Sequence, residues 1–300
     1  MTVWHSVLAF AWCLLAGLLM SLGAGGGGIL VGIGQISLLG VGDPNVVKLV
    51  NQVLELVSRV ISVPMYHRQR RLVWSLAVAY GIGAPAGAAL GAWLSKSYLS
   101  NMAVYRPAFG ILTVCVACRV LYEGWAKSAL AHAGRRRAQE ASQRALERRM
   151  RAPPDLHQDT DVHTTELSWR RVSVRFGGED FEFKPISAAA GGFFIALLSS
   201  ALGVGGGFLV TPFMASFLLF PMYLVVGTGL VALVLPLLVS IASYTAMRVS
   251  VDWPQLAIEI PAVVLGSFMG PHLSRRLDER TLKTFVALVL LLLGLFYVVR

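Results

Sequence analysis

Charge is scarce in this 300-residue chain: Asp, Glu, Lys and Arg make up 14% of it, against about 25% in an ordinary soluble domain. With 56% of residues hydrophobic and a mean hydropathy of +0.66, an aqueous globule has too little interior for the apolar side chains. Bilayer-spanning helices of about 20 apolar residues absorb them. The long hydrophobic stretches lack period-two alternation, which excludes an outer-membrane barrel. Cysteine is confined to Cys13, Cys115 and Cys118, all inside apolar runs, so no disulfide framework is implied, and the Cys115/Cys118 spacing reads as one turn of a membrane helix. The amino terminus lacks a basic leader and a small-residue cleavage site, so its apolar stretch is expected to stay attached. Enzyme signatures are missing too. There is no G-x-S-x-G or H-E-x-x-H motif, the histidines are scattered, and the glycine runs lack the Lys-Ser/Thr of a phosphate-binding loop.

The expected fold is therefore all-α, a polytopic helical membrane protein. Its net charge of +10 does not point to nucleic acid, because 12 of the 26 Lys and Arg lie between Ala126 and Lys184 and most others sit at span ends. That is the positive-inside pattern. The apolar runs are Val3 to Leu22, Ile29 to Val41, Asn45 to Tyr66, Val73 to Leu94 and Met102 to Tyr122. After a polar stretch the series restarts with Pro185 to Leu202, Phe208 to Phe220, Tyr223 to Met247, Trp253 to Leu273 and Leu282 to Val299.

A shift of 179 residues lays the second series on the first. It pairs Ser21 with Ser200, Gly26, Gly27 and Gly28 with Gly205, Gly206 and Gly207, and Leu30-Val31 with Leu209-Val210. Further on it pairs Trp74 with Trp253, Gly87 with Gly266 and Gly91 with Gly270; Asn51 falls near Thr228 after a short gap. The chain reads as two transmembrane repeats, 1–124 and 185–300, around a polar cytoplasmic connector, 125–184. Such halves usually build one site at their interface near the bilayer midplane. Basic residues flank opposite ends of equivalent helices, with Arg68, Arg70 and Arg71 before one and Arg275, Arg276, Arg280 and Lys283 after the other, so the halves look inverted. Inversion requires each glycine-interrupted segment to enter and return; if each crosses once, the count is eight and the halves are parallel. The sequence is compatible with roughly eight to ten membrane segments on these two readings.

In the connector, Val172, Val174 and Phe176, then Phe181 and Phe183, alternate as a hairpin would. The start of the connector, through Arg135, Arg144 and Arg151, reads as helix. His157, Asp159, Asp161 and His163 alternate along a stretch better read as solvated linker than as a metal site.

Glycines at 25 to 28 and 205 to 207 each cost roughly 1 kcal/mol relative to Ala in a helix interior. Unwound backbone at membrane depth is tolerated where it is buried in protein or lines a cavity, and the helix that restarts beyond each break turns its positive dipole end towards it. Gly26, Gly27, Gly28, Gly205, Gly206 and Gly207 are thus candidate substrate-lining residues, with close helix packing as the bland alternative. On the run from Asn45 to Tyr66, Lys48, Gln52, Glu55 and Arg59 fall at i, i+4, i+7 and i+11, beside Asn51. Ionisable groups at a helix centre cost about 2.5 to 3.5 kcal/mol each, so they should face protein or water and pair, Glu55 with Arg59 being one turn apart. Lys48, Glu55 and Arg59 are candidate charge or coupling residues, as is Glu259, whose counterpart in the first half is Tyr80.

Ala201-Leu-Gly-Val-Gly-Gly-Gly-Phe-Leu-Val-Thr-Pro212, with Val226-Gly-Thr-Gly229 and Val251-Asp-Trp253, closely resembles the second repeat of the TauE/SafE sulfite exporter family. Gly23-Ala-Gly-Gly-Gly-Gly28 and Asn51-Gln52 resemble the first repeat. Here Gly32-Ile33 replaces the Thr-Pro type of pair and Gly229 replaces Ser, so the likeness is closer in the second half. The resemblance implies a secondary transporter of the bacterial inner membrane that moves small sulfur-containing anions such as sulfite, sulfoacetate or other organosulfonates. It implies no bound cofactor and adds Asn51, Gln52, Thr211 and Thr228 to the substrate-binding candidates. The expected partners are a small anion, the lipid bilayer and, as a candidate coupling ion, the proton; the oligomeric state is left open, a homodimer among the options. The rival reading is a non-transporting scaffold recruiting a partner through its basic connector, and the acid-poor core disfavours a metal-ion permease.

Overall fold

The computed structural model describes residues 3–22, 26–125, 162–176 and 178–273, with helical residues 288, 291 and 294–296 beyond them. Outside the described residues lie Gly23, Gly25, the connector from 126 to 161 with its expected basic helix and His157, Asp159 and Asp161, the Arg275, Arg276, Arg280 and Lys283 cluster, and most of the run from Leu282 to Val299. The described chain is α1 (Val3–Ser21), α2 (Gly27–Ile33), α3 (Pro44–Arg68), α4 (Trp74–Tyr98), α5 (Met102–Trp125), a sheet of β1 (His163–Leu167), β2 (Val172–Phe176) and β3 (Glu179–Phe183), then α6 (Pro185–Leu202), α7 (Gly207–Pro212), α8 (Met222–Ala232), α9 (Val234–Ala246) and α10 (Trp253–Leu273). Among these, α4, α6, α8 with α9, and α10 are long and apolar enough to cross a bilayer. It is a helical membrane protein. The run from Tyr223 to Met247, expected as one helix, is interrupted at Leu233, with Pro236 in the first turn of α9, where its missing N–H costs nothing.

α3 is inside out. Asp43 caps it by accepting from the Asn45 N–H at 2.8 Å, with Pro44 in the first turn. Its polar face, Lys48, Asn51, Gln52, Glu55, Ser58, Arg59 and Ser62, is buried, while Val60 on the opposite face is 63% exposed. The protein interior is where polar groups find partners, and the apolar face is left for lipid.

Two helical hairpins clasp α3. Gly27 rests on Ala16 and Met20, and Gly34, seven residues on, rests on Trp12, so α2 runs back along α1. Likewise Gly206 lies by Ser199 and Ile195, while the Phe213 ring lies on Gly191, so α7 runs back along α6. Each returning helix ends in a π-helical turn, Gly34–Leu38 and Phe213–Phe217. The hairpin tips meet, Gly28 of one touching Val204 of the other.

Glycine seams set the helix directions. Gly83, Gly87 and Gly91 of α4 face the carbonyls of Ala189, Phe193 and Leu197 on α6, so those two run parallel. Gly17 of α1 meets Val263, and Gly270 meets Ser21, so α1 and α10 run parallel as well. Ser267 Oγ of α10 lies within hydrogen-bond distance of Gly17 O and Ser58 Oγ, at 3.2 and 2.8 Å, and Tyr66 OH donates to Ser21 O, aligning α3 with α1 and α10. Lys48 near the start of α3 reaches Leu99 at the end of α4, so α4 and α6 run the other way. Where lipid is as apolar as the side chains, such close backbone approach supplies the packing.

The connector's described part is a three-stranded antiparallel meander, with Val172 paired to Phe183 and Val174 to Phe181 as the alternation anticipates. β1, which pairs with β2, was not anticipated, because all five of its residues are exposed and show no apolar alternation. The sheet's apolar face is buried on the start of α8: Phe176 stacks on Tyr223, and Phe181 and Phe183 pack on Phe220.

These seams yield a test. A side chain at Gly87 would overlap the Phe193 backbone, whereas the nearest atom to one at Gly81 is 4.0 Å away. Gly87→Val should abolish a monodisperse size-exclusion peak in detergent. Gly81→Ala should leave the peak intact and the melting temperature unchanged or higher, since Ala exceeds Gly in helix propensity by up to about 1 kcal/mol.

Candidate functional site

Backbone breaks buried among helices leave N–H and C=O groups that need protein partners. At the α1–α2 tip, Asn51 Nδ2 donates to Gly28 O at 2.7 Å, and Tyr66 OH to Ser21 O at 2.9 Å. At the α6–α7 tip, Asn51 Nδ2 also donates to Gly203 O, Tyr105 OH to Leu202 O at 2.9 Å, and Tyr244 OH to Ser200 O at 3.0 Å. Gln52 Nε2 is 3.5 Å from the same Ser200 O, and Ser199 Oγ accepts from the Gly206 N–H at 2.6 Å. Asn51 thus ties both tips to α3. Gly203 and Gly205 hold φ of 67° and 60°, a left-handed conformation that glycine adopts without strain.

Between the tips sits one carboxylate. Glu55, 3% exposed, touches Gly28 from the first hairpin and Gly205 from the second so closely that a Cβ at either would overlap it. Its Oε2 pairs with Arg59 Nη2 at 2.8 Å, and Arg59, 2% exposed, also donates from Nη1 to Glu55 O at 3.3 Å. Arg59 Nε is buried without a hydrogen-bond partner. An ion pair this deep recovers its desolvation only through close geometry and further hydrogen bonds, so breaking it is costly.

Beside the pair a narrow pocket encloses about 360 Å³ of empty space, its open mouth included, and has room for about one water-sized sphere. Met20, Gly27, Gly28, Glu55, Arg59, Gly207 and Thr211 line it, with apolar residues of α7 and α8. Gly207 faces the guanidinium, 3.6 Å from where its Cβ would be. Thr211 Oγ1 donates back to Gly207 O at 3.0 Å.

The remaining candidates lie elsewhere. Gly26 precedes α2 as its cap residue. Thr228 Oγ1 accepts from the Val73 N–H at 3.0 Å and anchors the start of α4. Lys48, expected near the anion, instead donates to Ser95 Oγ at 2.6 Å and Leu99 O at 2.8 Å over the Tyr105 ring, closing the carboxyl end of α4 where a cation suits the helix dipole. Glu259 joins a separate cluster with Gln35 and Gln255. The tyrosine hydroxyls at the tips and the two glutamines were missed in the sequence. Gln35, on the short run from Ile29 to Val41, and Gln255, four residues before Glu259, were the available signals. Among the described residues, no group of three or more His, Cys, Asp or Glu is placed to hold a metal ion.

The family model described as Sulfite exporter TauE/SafE matches residues 9–297. Comparison with curated proteins and with solved structures found no match.

Lys48 placed as a helix cap makes a separable prediction. Lys48→Met should lower the melting temperature, by loss of a buried hydrogen bond to Ser95 and a partly buried one to Leu99 O, worth about 1.5–3 kcal/mol each for a charged donor. It should leave the monodisperse size-exclusion peak in detergent intact.

Proposed function

This chain belongs to the TauE/SafE sulfite exporter family, a family of membrane transporters and not of enzymes, and on that premise we propose that it exports small sulfur-containing anions, sulfite or organosulfonates, through a site between the two hairpin tips. One observation carries the reading: a carboxylate already sits where such a site requires an anion. Glu55 lies against both glycine breaks and on the buried guanidinium of Arg59. Glu55 is then the resident anion of the empty carrier. An arriving sulfite or sulfonate competes for Arg59, whose Nε is a spare donor and whose planar fork suits an oxyanion. Displacing Glu55 parts the tips, and the pocket, sized for little more than a water molecule, widens as it fills. A scaffold that recruits partners has no use for an exchangeable ion pair at the junction of two broken helices.

The same reading takes 1–124 and 185–300 as inverted repeats about that junction and 125–184 as a cytoplasmic connector. It rests on the helix directions, since α1 and α6 oppose one another, as do α4 and α10, and on the two hairpins entering and returning. The arrangement suits alternating access in the inner membrane. Cysteines placed at Arg70 and Ser250 are expected to label from opposite sides of a sealed membrane, with Arg70 cytoplasmic. Labelling of both from one side would overturn the inverted topology.

Binding and flux test the site. Arg59→Ala should weaken sulfite binding tenfold or more, about 1.4 kcal/mol, with Arg59→Lys intermediate. Glu55→Gln removes the competitor, so sulfite should bind more tightly while the ligand-free protein melts at a lower temperature. Sulfite affinity unchanged in both Arg59→Ala and Glu55→Gln would refute the site, and absence of sulfite or sulfonate flux in wild-type proteoliposomes would refute the transport reading.

A further inference from the structure

A second buried acid stands away from the Arg59 pocket. Glu259 of α10 is fully buried, and its Oε1 accepts from Gln35 Nε2 at 2.6 Å and Gln255 Nε2 at 3.0 Å; Gln255 Nε2 also lies 2.7 Å from Gln35 Oε1. Its Oε2 is buried with no hydrogen-bond partner. Among the described residues no cation pairs with it. An uncompensated carboxylate in such a place is costly unless something neutralises it.

The groups around it narrow what that is. Asp252 lies seven residues earlier, just before α10, and Cys13 approaches from α1. α3 also packs on α10, but it directs Lys48 to the end of α4 and Glu55 and Arg59 to each other. Among the described residues, no positive side chain is offered. Glu259 borders a crevice with Trp12, Cys13, Gln35, Leu38 and Leu39, about 180 Å³ of empty space with no room for a water molecule. A metal cation needs several oxygen ligands, and here one carboxylate oxygen is free in a space too tight for a hydrated ion. The ligand that fits is a proton.

We propose that Glu259, gripped by Gln35 and Gln255, is a proton-binding site separate from the anion pocket, and that α2 connects the two. Gln35 lies in the π-helical turn that continues α2, while Gly28 at the other end of the same helical segment touches Glu55. π-Helical turns recur at functional sites because they leave the regular hydrogen-bond ladder. Hydrogen bonds to a charged carboxylate are stronger than those to a neutral acid. A proton arriving on Glu259 Oε2 therefore loosens the grip on Gln35, freeing the turn and with it the hairpin tip at the anion pocket. The cluster also breaks the resemblance between the halves. At the 179-residue shift, Gln35, Gln255 and Glu259 correspond to Met214, Leu76 and Tyr80. All three polar groups are confined to one side, as expected of a site added to a duplicated scaffold and not of the scaffold itself.

The proton site stands without the transport reading; its coupling to flux rests on it. pH-difference infrared spectra of the full-length protein should show a titrating carboxylic C=O band that vanishes in Glu259→Gln, persists in Arg59→Ala and shifts in Gln35→Leu, where the acid remains but loses a donor. A wild-type band untouched by Glu259→Gln and Gln35→Leu, or no such band, overturns the site. In proteoliposomes, sulfite flux by Glu259→Gln should lose its pH dependence, and the calorimetric sulfite affinity, which varies with pH in wild type, should become independent of pH. Flux that keeps the wild-type pH profile in Glu259→Gln overturns the coupling. If the infrared bands behave as expected while wild-type protein moves no sulfite or sulfonate, the transport reading fails and the proton site remains.

Discussion

A helix broken in the middle of a bilayer must find a partner inside the protein for each exposed backbone group, and the rest of this structure is arranged around that requirement. Two breaks face one another, and one helix, α3, supplies much of what they need. Asn51 reaches carbonyls on both tips and Gln52 the second, while Tyr66 from α3, Tyr105 from α5 and Tyr244 from α9 bring hydroxyls from three directions. Glycine lets the strands of backbone come close enough to be held. The same closeness makes the tips a fitting seat for a negative group, which is why Glu55 is there. On the proposed reading, structural repair and ligand recognition use one set of side chains.

The position of Arg59 follows from that arrangement. A guanidinium buried to this extent needs an anion, and a carrier needs a cation that is not irrevocably satisfied. Pairing Arg59 with a carboxylate one turn away on its own helix holds the cation in place at little cost in ordering, and on the proposed reading this is the bond for which an oxyanion competes. The distribution of charge agrees. Lys48, two turns before Glu55, has been taken out of play by the end of α4, leaving the pocket with a single guanidinium.

Much of this was legible in the sequence. Apolar runs and their punctuation located the helices to within a few residues, because burial in lipid or protein demands them; the i, i+4, i+7, i+11 spacing on α3 exposed its polar face, and the pairing of Glu55 with Arg59 followed from one helical turn. Side-chain reach across elements was not legible. Lys48 shares a face with Glu55, yet its long chain leads to Ser95 and Leu99 instead. Thr228 sits in a family-like motif but serves the start of α4. Gln35 and Gln255 are unremarkable polar residues 220 positions apart in the chain, and only the fold makes them neighbours of Glu259. β1 gave no alternation to read because the side chains on both of its faces are exposed.

The glycine seams carry a consequence for how the protein comes to exist. α4 of the first half lies in the groove of α6, and α1 lies along α10, so each half's closest partners belong to the other. While the ribosome has delivered only the first half, the seams of α1 and α4 are open to lipid, and Asn51 and Gln52 of α3 lack the carbonyls of Gly203 and Ser200. Insertion of this chain is thus a matter of waiting. The early helices must remain loosely associated, held near the insertion machinery or shielded by a chaperone, until α6 and α10 arrive to lock them, and a stalled or truncated product exposes polar surface that membrane quality control can read.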